Sequence, residues 1–373
     1  MNKVIVIVIG VDHFNTLGII RSLGEVGIQP IALILSENKS KAWTLKSRYI
    51  NINCSEVIGS EQVREKLLSI SSRIKQKAYI IPSCDRAVKL IEEQRIFLSD
   101  MFHFPTVSDD YGSLTNCLDK SFTSKIASKA GFVVPKSMTF YANDNEQIKR
   151  AIADFAGLYP LIIKEVTSVA GKNHTRIIRD EEELIASVQE CGSDIVLLQQ
   201  FIQKDEELGV QGVGFGDGRS FVPANVHKIR TSLDAMGSTT YAILSNPVDE
   251  LLKKKCEAFI SELKYSGIFD IEVLRKGSIY YFIECNFRNG AYGYAYTRMG
   301  YNLPLIWILN KPAYKSTALN KRIMNVFNDI KHVKTGKISA IRWLGQMITT
   351  DVFLTANIKD PLPLFYRLFD KIK

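Results

Sequence analysis

The densest run of chemically capable side chains lies between Gly267 and Gly290, where Asp270, Glu272, Glu284, Asn286, Arg288 and Asn289 occur together. Ile268–Leu274 and Tyr280–Asn286 read as strands around Lys276-Gly277-Ser278. A turn centred on Gly277 sets Asp270 opposite Glu284. Directly opposed side chains share a sheet face with Cβ atoms about 5 Å apart, and period-two alternation adds Glu272 and Asn286 to that face. Ile271, Val273, Ile283 and Cys285 then point into the core. Like charges set opposite each other are destabilising and need an offset. A hard cation with oxygen ligands supplies one, and Mg²⁺ holding phosphates is the natural candidate. The competing reading is an ordinary solvated sheet face, but Arg288 and Asn289-Gly290 prolong the polar cluster. A one-residue slip in the turn would move Asp270 off the face.

Such a hairpin needs a scaffold. Val4–Ile9 is an apolar, β-branched run ending at Gly10, the pattern of a buried parallel strand. A helical pattern over Thr16–Val26, a strand at Ile31–Leu35, a run at Tyr49–Ile52, a helix near 61–74, a strand at Ala78–Ile81 and a helix near 85–97 follow. This alternation predicts a doubly wound α/β domain over residues 1–108. Ligands in such domains bind beyond the carboxyl ends of strands, which makes Asp12, His13 and Asp85 candidate substrate contacts or helix caps. A helix starting near Asp119 and strands at Leu161–Glu165 and Thr175–Ile178 come next. After a helix at 180–190, strand-like runs follow at 196–202, 208–215, 220–227 and 239–244. A helix at 248–263 leads into the acidic hairpin. We read residues 109–310 as mixed α+β, with a central lid over about 132–202, and 311–373 as a C-terminal extension.

The order Asp270, then Glu284-Cys285-Asn286-Phe287-Arg288, resembles the metal-binding end of the ATP-grasp superfamily: an acid, then E-x-N-x-R on the next strand. In that family the two carboxylates and the Asn hold the metal, which implies Asp270, Glu284 and Asn286 as ligands of Mg²⁺ (or Mn²⁺); Phe287 stands where the family usually has Pro. The resemblance covers roughly residues 1–310 and implies a Rossmann-like pre-ATP-grasp domain followed by ATP-grasp domains. It implies ATP as cosubstrate, with Lys120 (in Asp119-Lys120-Ser121) and Lys164 (ending Pro160–Lys164) on its phosphates, as point charges. It further implies that backbone groups at Gln200 and Ile202 read the adenine edge, that Gln199 replaces the usual Glu, and that Glu207 binds ribose. Lys172, in a loop with one glycine over 165–175, would lie near the phosphates. This loop is not a Walker A sequence, because Val166 stands at its first glycine position. Lys228 and Arg230 would face the γ-phosphate and an acceptor carboxylate, with Arg230 as a bidentate clamp, and Arg288 would steady the transferred phosphoryl group.

The chemistry implied is phosphorylation of a carboxylate by ATP, then attack of an amine on the acyl phosphate. Positioning and charge neutralisation carry such a reaction, which agrees with the lack of a nucleophile–base triad. The substrates would be small carboxylates and amines, one of them an amino acid and one nucleotide- or lipid-linked. Ile358–Pro363 is similar to the D-P-x-P ending near the D-aspartate ligase and carboxylate–amine ligase branch, many of whose members serve cell-envelope or polysaccharide pathways. A nucleotide-sugar glycosyltransferase with Asp270 and Glu272 as its metal pair is a rival reading. So is a membrane-surface protein with a vestigial nucleotide fold. The former leaves Lys120, Lys164 and the E-x-N-x-R cluster without a role.

Composition sets the outer limits. The chain has 373 residues, 46% hydrophobic and 23% charged, which is globular composition and suggests more than one domain. Its net charge is +9, yet residues 311–373 hold 12 Lys+Arg against 4 Asp and no Glu, so the body is nearly neutral. Nucleic acid is not needed to explain that distribution. The six cysteines show no C-x-x-C spacing and no apolar run nears the roughly 20 residues of a membrane span, which points to the cytoplasm. The short run Val4–Ile9 lacks the features of a signal peptide. In the tail, Leu364, Phe365, Leu368, Phe369 and Ile372 form an apolar stripe, with Arg367, Asp370, Lys371 and Lys373 on the other side. Such a helix can lie on the inner face of an anionic membrane or dock on the protein's own body.

Overall fold

A computed structural model describes residues 4–38, 41–165, 175–190, 195–233, 238–312, 314 and 319–370. The first unit alternates β1 (Val6–Gly10), α1 (Phe14–Gly24), β2 (Ile31–Leu35), β3 (Glu56–Ile58), α2 (Val63–Ser71), β4 (Ala78–Pro82), α3 (Asp85–Glu92), α4 (Arg95–Leu98) and β5 (Phe102–His103). Its five strands are parallel in the order β3-β2-β1-β4-β5, the doubly wound pattern. Tyr49–Ile52 is not a strand; Glu56–Ile58 takes that place beside β2. Every residue of β1 is buried, as a parallel strand covered on both faces should be.

The chain continues through α5 (Lys120–Lys129), β6 (Ser137–Tyr141), α6 (Asn145–Phe155), β7 (Leu161–Glu165), β8 (Thr175–Ile178), α7 (Glu181–Glu190) and β9 (Ile195–Gln200). Strands β6-β9-β7-β8 make a separate antiparallel sheet with a small core of its own around Phe140, Phe155 and Leu161.

The rest of the chain builds the large sheet. It comprises β10 (Glu206–Phe215), β11 (Ser220–Phe221), β12 (Asn225–Thr231), β13 (Thr239–Ser245), α8 (Glu250–Leu263), β14 (Ser266–Lys276), β15 (Ile279–Asn286), α9 (Gly293–Met299), α10 (Leu303–Leu309), β16 (Asn320–Met324), α11 (Val326–Lys334), α12 (Ala340–Ile348), β17 (Val352–Phe353) and α13 (Leu362–Asp370). The strand order is β15-β14-β10-β12-β13-β16-β17, with β11 paired to β10. The basic tail is therefore no appendage: β16 pairs antiparallel with β13 and extends the site-bearing sheet.

One core joins the first unit to this sheet. Val6 and Val8 of β1 and Ile19 and Leu23 of α1 pack with Tyr292, Tyr294, Tyr296, Trp307 and sheet residues such as Val213 and Ile268. The aromatics of residues 290–310 thus fill the interior between the two units. Tyr296 ties the layers together: its hydroxyl donates to the Ala224 carbonyl at 2.8 Å and accepts from the Gln211 N–H at 3.0 Å.

Candidate functional site

The acidic hairpin forms, in a register other than the one expected. Gly277-Ser278 is a two-residue loop closed by the pair Lys276–Ile279, with Gly277 at φ +58°, a conformation glycine adopts without strain. Continued unbroken, that pairing would set Asp270 against Cys285 and mix the polar and apolar faces. A bulge prevents this: Val273 pairs with Phe282, but the next pair is Glu272–Glu284, so Ile283 is the extra residue. Beyond it Asp270 faces Asn286. The expected Asp270–Glu284 pairing is therefore replaced by Glu272–Glu284, and Phe282, not Ile283, enters the core. The face itself still carries Asp270, Glu272, Glu284 and Asn286, because the slip in the turn and the bulge each shift the register by one residue and together by two, which restores the face.

Cations from three directions balance these acids. Lys228 of β12 is nearly sealed off, its side chain 2% exposed, and its Nζ donates to Glu207 Oε1 at 2.9 Å and Glu272 Oε2 at 2.6 Å. Burial pushes the Lys228 ammonium down, but Glu272 and Glu207 outweigh it and hold the group above the usual lysine range. Burial pushes the Glu207 carboxyl up, and Lys228 together with Lys204, which also ion-pairs with it, brings it below the usual range. Lys120, the first residue of α5, places Nζ 3.0 Å from Glu284 Oε2. Asp119 caps that helix by accepting the Phe122 N–H at 2.8 Å, so its position is set by ordinary N-cap chemistry.

Arg288 closes the far side. Its Nη2 donates to Asn286 Oδ1 at 3.0 Å, and its Nε donates to Asp85 Oδ1, at the start of α3, at 2.8 Å. The first unit thus reaches the hairpin through Asp85. Asp12 instead anchors a loop, accepting from the N–H groups of Trp43 and Thr44 and from the Thr44 hydroxyl. His13 caps α1 by accepting the Asn15 N–H at 3.4 Å, and burial, aided by Arg367, pushes its pKa down to about 4.

Asp270 lies deeper than its neighbours. Burial pushes its carboxyl up, Glu272 adds to this, and Arg288 opposes it. Its Oδ1 is buried without a hydrogen-bond partner, and so are both side-chain polar atoms of Gln211, its neighbour on β10. Buried oxygens without partners are costly, so this end of the face is built to receive something polar. The donor set fits a hard divalent cation: carboxylate and amide oxygens from Glu272, Glu284 and Asn286 on one face. Among the described residues no three His, Cys, Asp or Glu side chains close on a single point. The protein would therefore give two or three oxygens and leave the rest to phosphate and water, the usual habit of Mg²⁺.

Arg230 is not available as a substrate clamp. Its Nε and Nη2 donate to Asp329 Oδ1 and Oδ2 at 3.0 and 2.7 Å, its Nη1 donates to Gln346 at 2.8 Å, and its guanidinium lies over the Tyr241 ring. Asp329 is fully buried and also accepts from Thr240 Oγ1 and Trp343 Nε1. The fork that suits a ligand carboxylate binds a carboxylate from α11 instead. Sequence reading missed Asp329, which lies 99 residues away and shows no local signal.

The residues of the smaller sheet expected to face a nucleotide lie on β7 and β9. Lys164 stands opposite Leu197, and Gln199 opposite Ile162. The Gln200 N–H donates to the Lys136 carbonyl at 2.8 Å, so it is spent within the sheet and cannot also read a base. Ile202 is buried just beyond the strand. Lys172 lies outside the described residues.

Residues 125–295 match the family model of the ATP-grasp domain. No curated protein matches the chain by sequence. Among solved structures, an ADP complex of N5-carboxyaminoimidazole ribonucleotide synthetase is similar at a TM-score of 0.66 and 15% identity, covering 90% of this chain and 87% of that one. L-amino acid ligase from Bacillus licheniformis gives 0.59 at 16% identity, covering 84% and 76%. The biotin carboxylase domain of the Hydrogenobacter thermophilus 2-oxoglutarate carboxylase gives 0.61 at 18% identity, covering 83% and 71%. Residues 125–295 of this chain thus resemble an ATP-grasp domain, set in an overall fold like that of these three enzymes.

Proposed function

We propose that this chain is an ATP-dependent carboxylate–amine ligase with an amino acid as one substrate. The γ-phosphoryl group passes from ATP to a carboxylate oxygen, giving an acyl phosphate and ADP. The amine nitrogen then attacks the acyl carbon, phosphate leaves with the bonding pair, and the amine proton goes to solvent or a neighbouring base. The observation that supports this most is the opposed pair Glu272–Glu284, balanced by Lys228 and Lys120. In this reading Glu272, Glu284 and Asn286 hold Mg²⁺ (or Mn²⁺), with Asp270 behind them. The bound cation would supply positive charge against the phosphate oxygens.

The remaining roles belong to the chain's own residues. Lys120 and Lys164 act as point charges on phosphate. Glu207, held ionised by Lys228, accepts from ribose hydroxyls. Lys228 itself has its hydrogen bonds on the two acids and orients them, so it positions the site without touching substrate. Arg288, held between Asp85 and Asn286, is the cation nearest the junction with the first unit and suits a developing acyl phosphate. An ATP-grasp fold also serves the carboxylating enzymes above, and an amino-acid substrate is favoured here by the likeness to an L-amino acid ligase.

The test is release of ADP and phosphate from ATP-Mg²⁺ with amino-acid pools and amines, with hydroxylamine trapping of the acyl phosphate. Hydroxamate formation that depends on an amino acid supports the proposal. Release of AMP and pyrophosphate, or turnover that needs only bicarbonate, overturns it.

A further inference from the structure

The tail leaves two stripes of large apolar side chains turned away from the protein. On α12, Trp343 is buried and Met347 packs beside it, yet Ile341, Leu344 and Ile348 on the opposite side are 85, 46 and 79% exposed. Their spacing of three and four residues makes one continuous helical stripe. On α13, Pro363 is buried and Arg367 points inward, donating to Thr355 Oγ1 at 2.6 Å between the rings of Trp43 and Phe327. Leu362, Phe365, Tyr366 and Phe369 face outward, and Phe369 is 65% exposed. Ile358, just before that helix, is 99% exposed. Single exposed hydrophobic residues are ordinary, whereas grouped ones mark an interaction surface.

The charge around these stripes identifies what would cover them. The four acids of residues 311–373 are Asp329, Asp351, Asp360 and Asp370. Three are neutralised by the protein's own cations: Asp329 by Arg230, Asp351 by Lys321 and Asp360 by the buried Arg21. Lys334, Lys337, Arg342 and Lys359 remain exposed. Exposed basic residues thus outnumber acids around the apolar stripes, with Asp370 at the end of α13 the remaining acid. A second copy of this chain would bring two cationic faces together, which like-charge repulsion opposes. An anionic bilayer offers negative headgroups above an apolar interior and matches both features.

We infer that α12 and α13 seat this protein on an anionic membrane surface, with Ile341, Ile348, Phe365 and Phe369 entering the headgroup boundary. The helices lie on the bilayer, since none among the described residues is long and apolar enough to cross it. The tail's other function, docking on the body, is served by the opposite faces of the same helices and by the buried Arg21–Asp360 pair, whose Nε–Oδ2 distance is 2.9 Å.

Sedimentation of the full chain with vesicles tests this. We expect binding to phosphatidylcholine vesicles holding about 30 mol % phosphatidylglycerol to be at least about tenfold stronger than to phosphatidylcholine alone. It should weaken at least about tenfold between about 0.1 and 0.5 M salt. Two double variants, Ile341→Ser with Ile348→Ser and Phe365→Ser with Phe369→Ser, should each lose about tenfold or more in binding. All four positions are exposed, so the thermal midpoint should stay at the wild-type value and separates lost binding from lost folding. Wild-type binding without preference for phosphatidylglycerol overturns the inference. Double variants that are folded and bind like wild type overturn it too, as does a concentration-dependent wild-type dimer that the variants abolish.

Discussion

Glu272 faces Glu284 across the β14–β15 hairpin because Ile283 is bulged out beside them. A two-residue turn alone would have set Asp270 against Cys285. Glu272→Gln and Glu284→Gln should each lower ADP release by about a hundredfold or more. Asp270→Asn, one pair further along, should cost less than about tenfold, because burial already favours its neutral form. Titrating activity against Mg²⁺ in the three variants decides the matter. A larger loss in Asp270→Asn than in Glu272→Gln would return the metal-facing role to Asp270.

Lys228 joins Glu207 to Glu272 while almost wholly removed from water. Replacing it by Met leaves two partly buried carboxylates without their shared cation, and breaking such a pair costs about 3–5 kcal/mol. Urea unfolding of Lys228→Met should show that loss, and adding Glu272→Gln should recover part of it. A midpoint equal to wild type would mean that the cation between the two acids contributes nothing to the fold.

Arg230 and Asp329 form the two-pronged pair that fastens α11 to the sheet. Arg230→Gln should destabilise by about 3–5 kcal/mol, and Arg230→Lys by less, since the charge survives but the fork does not. In folded protein, KM for the carboxylate substrate should change less than about threefold. A wild-type denaturation midpoint combined with a greatly raised KM would restore Arg230 as a ligand clamp.

His13, whose pKa burial holds down at about 4, makes stability depend on pH. Folded His13 stays neutral, so between about pH 6.5 and 4 the unfolded chain takes up a proton that the folded chain does not. Its contribution therefore falls as pH drops through that window, by up to about 3 kcal/mol, and levels off below. His13→Asn keeps a capping acceptor for α1 and removes the titrating ring. Thermal unfolding of both proteins from about pH 7 to 4 should show a shallower decline in the variant. Parallel curves would assign the acid sensitivity to other groups.

Much of the architecture was legible in the chain because it rests on local rules. The buried run Val4–Ile9, the breaks at Gly10 and Gly27, and the strand–helix alternation up to residue 105 follow from periodicity and turn chemistry. Tyr49–Ile52, with an aromatic and two isoleucines, has the composition of a strand, yet the short β3 lies a few residues further on. The acids of the hairpin were legible as a set, since period-two alternation assigns a face without knowledge of register. Their pairing was not, because the turn and the bulge each shift the register by one and only their sum preserves the face.

What the sequence determined by itself was which side chains share a surface on the hairpin, Asp270, Glu272, Glu284 and Asn286, whereas on the tail helix the structure turns Arg367 inward from the polar side that periodicity gave it. The tertiary structure decided which cation meets which acid. Lys228 turned to Glu207 and Glu272, Arg288 to Asp85, Arg230 to Asp329, and Arg21 to Asp360 across 339 residues. Charge pairing acts through space at distances of a few ångströms and leaves no periodic trace along the chain. Only the packed sheets and helices determine which groups come that close.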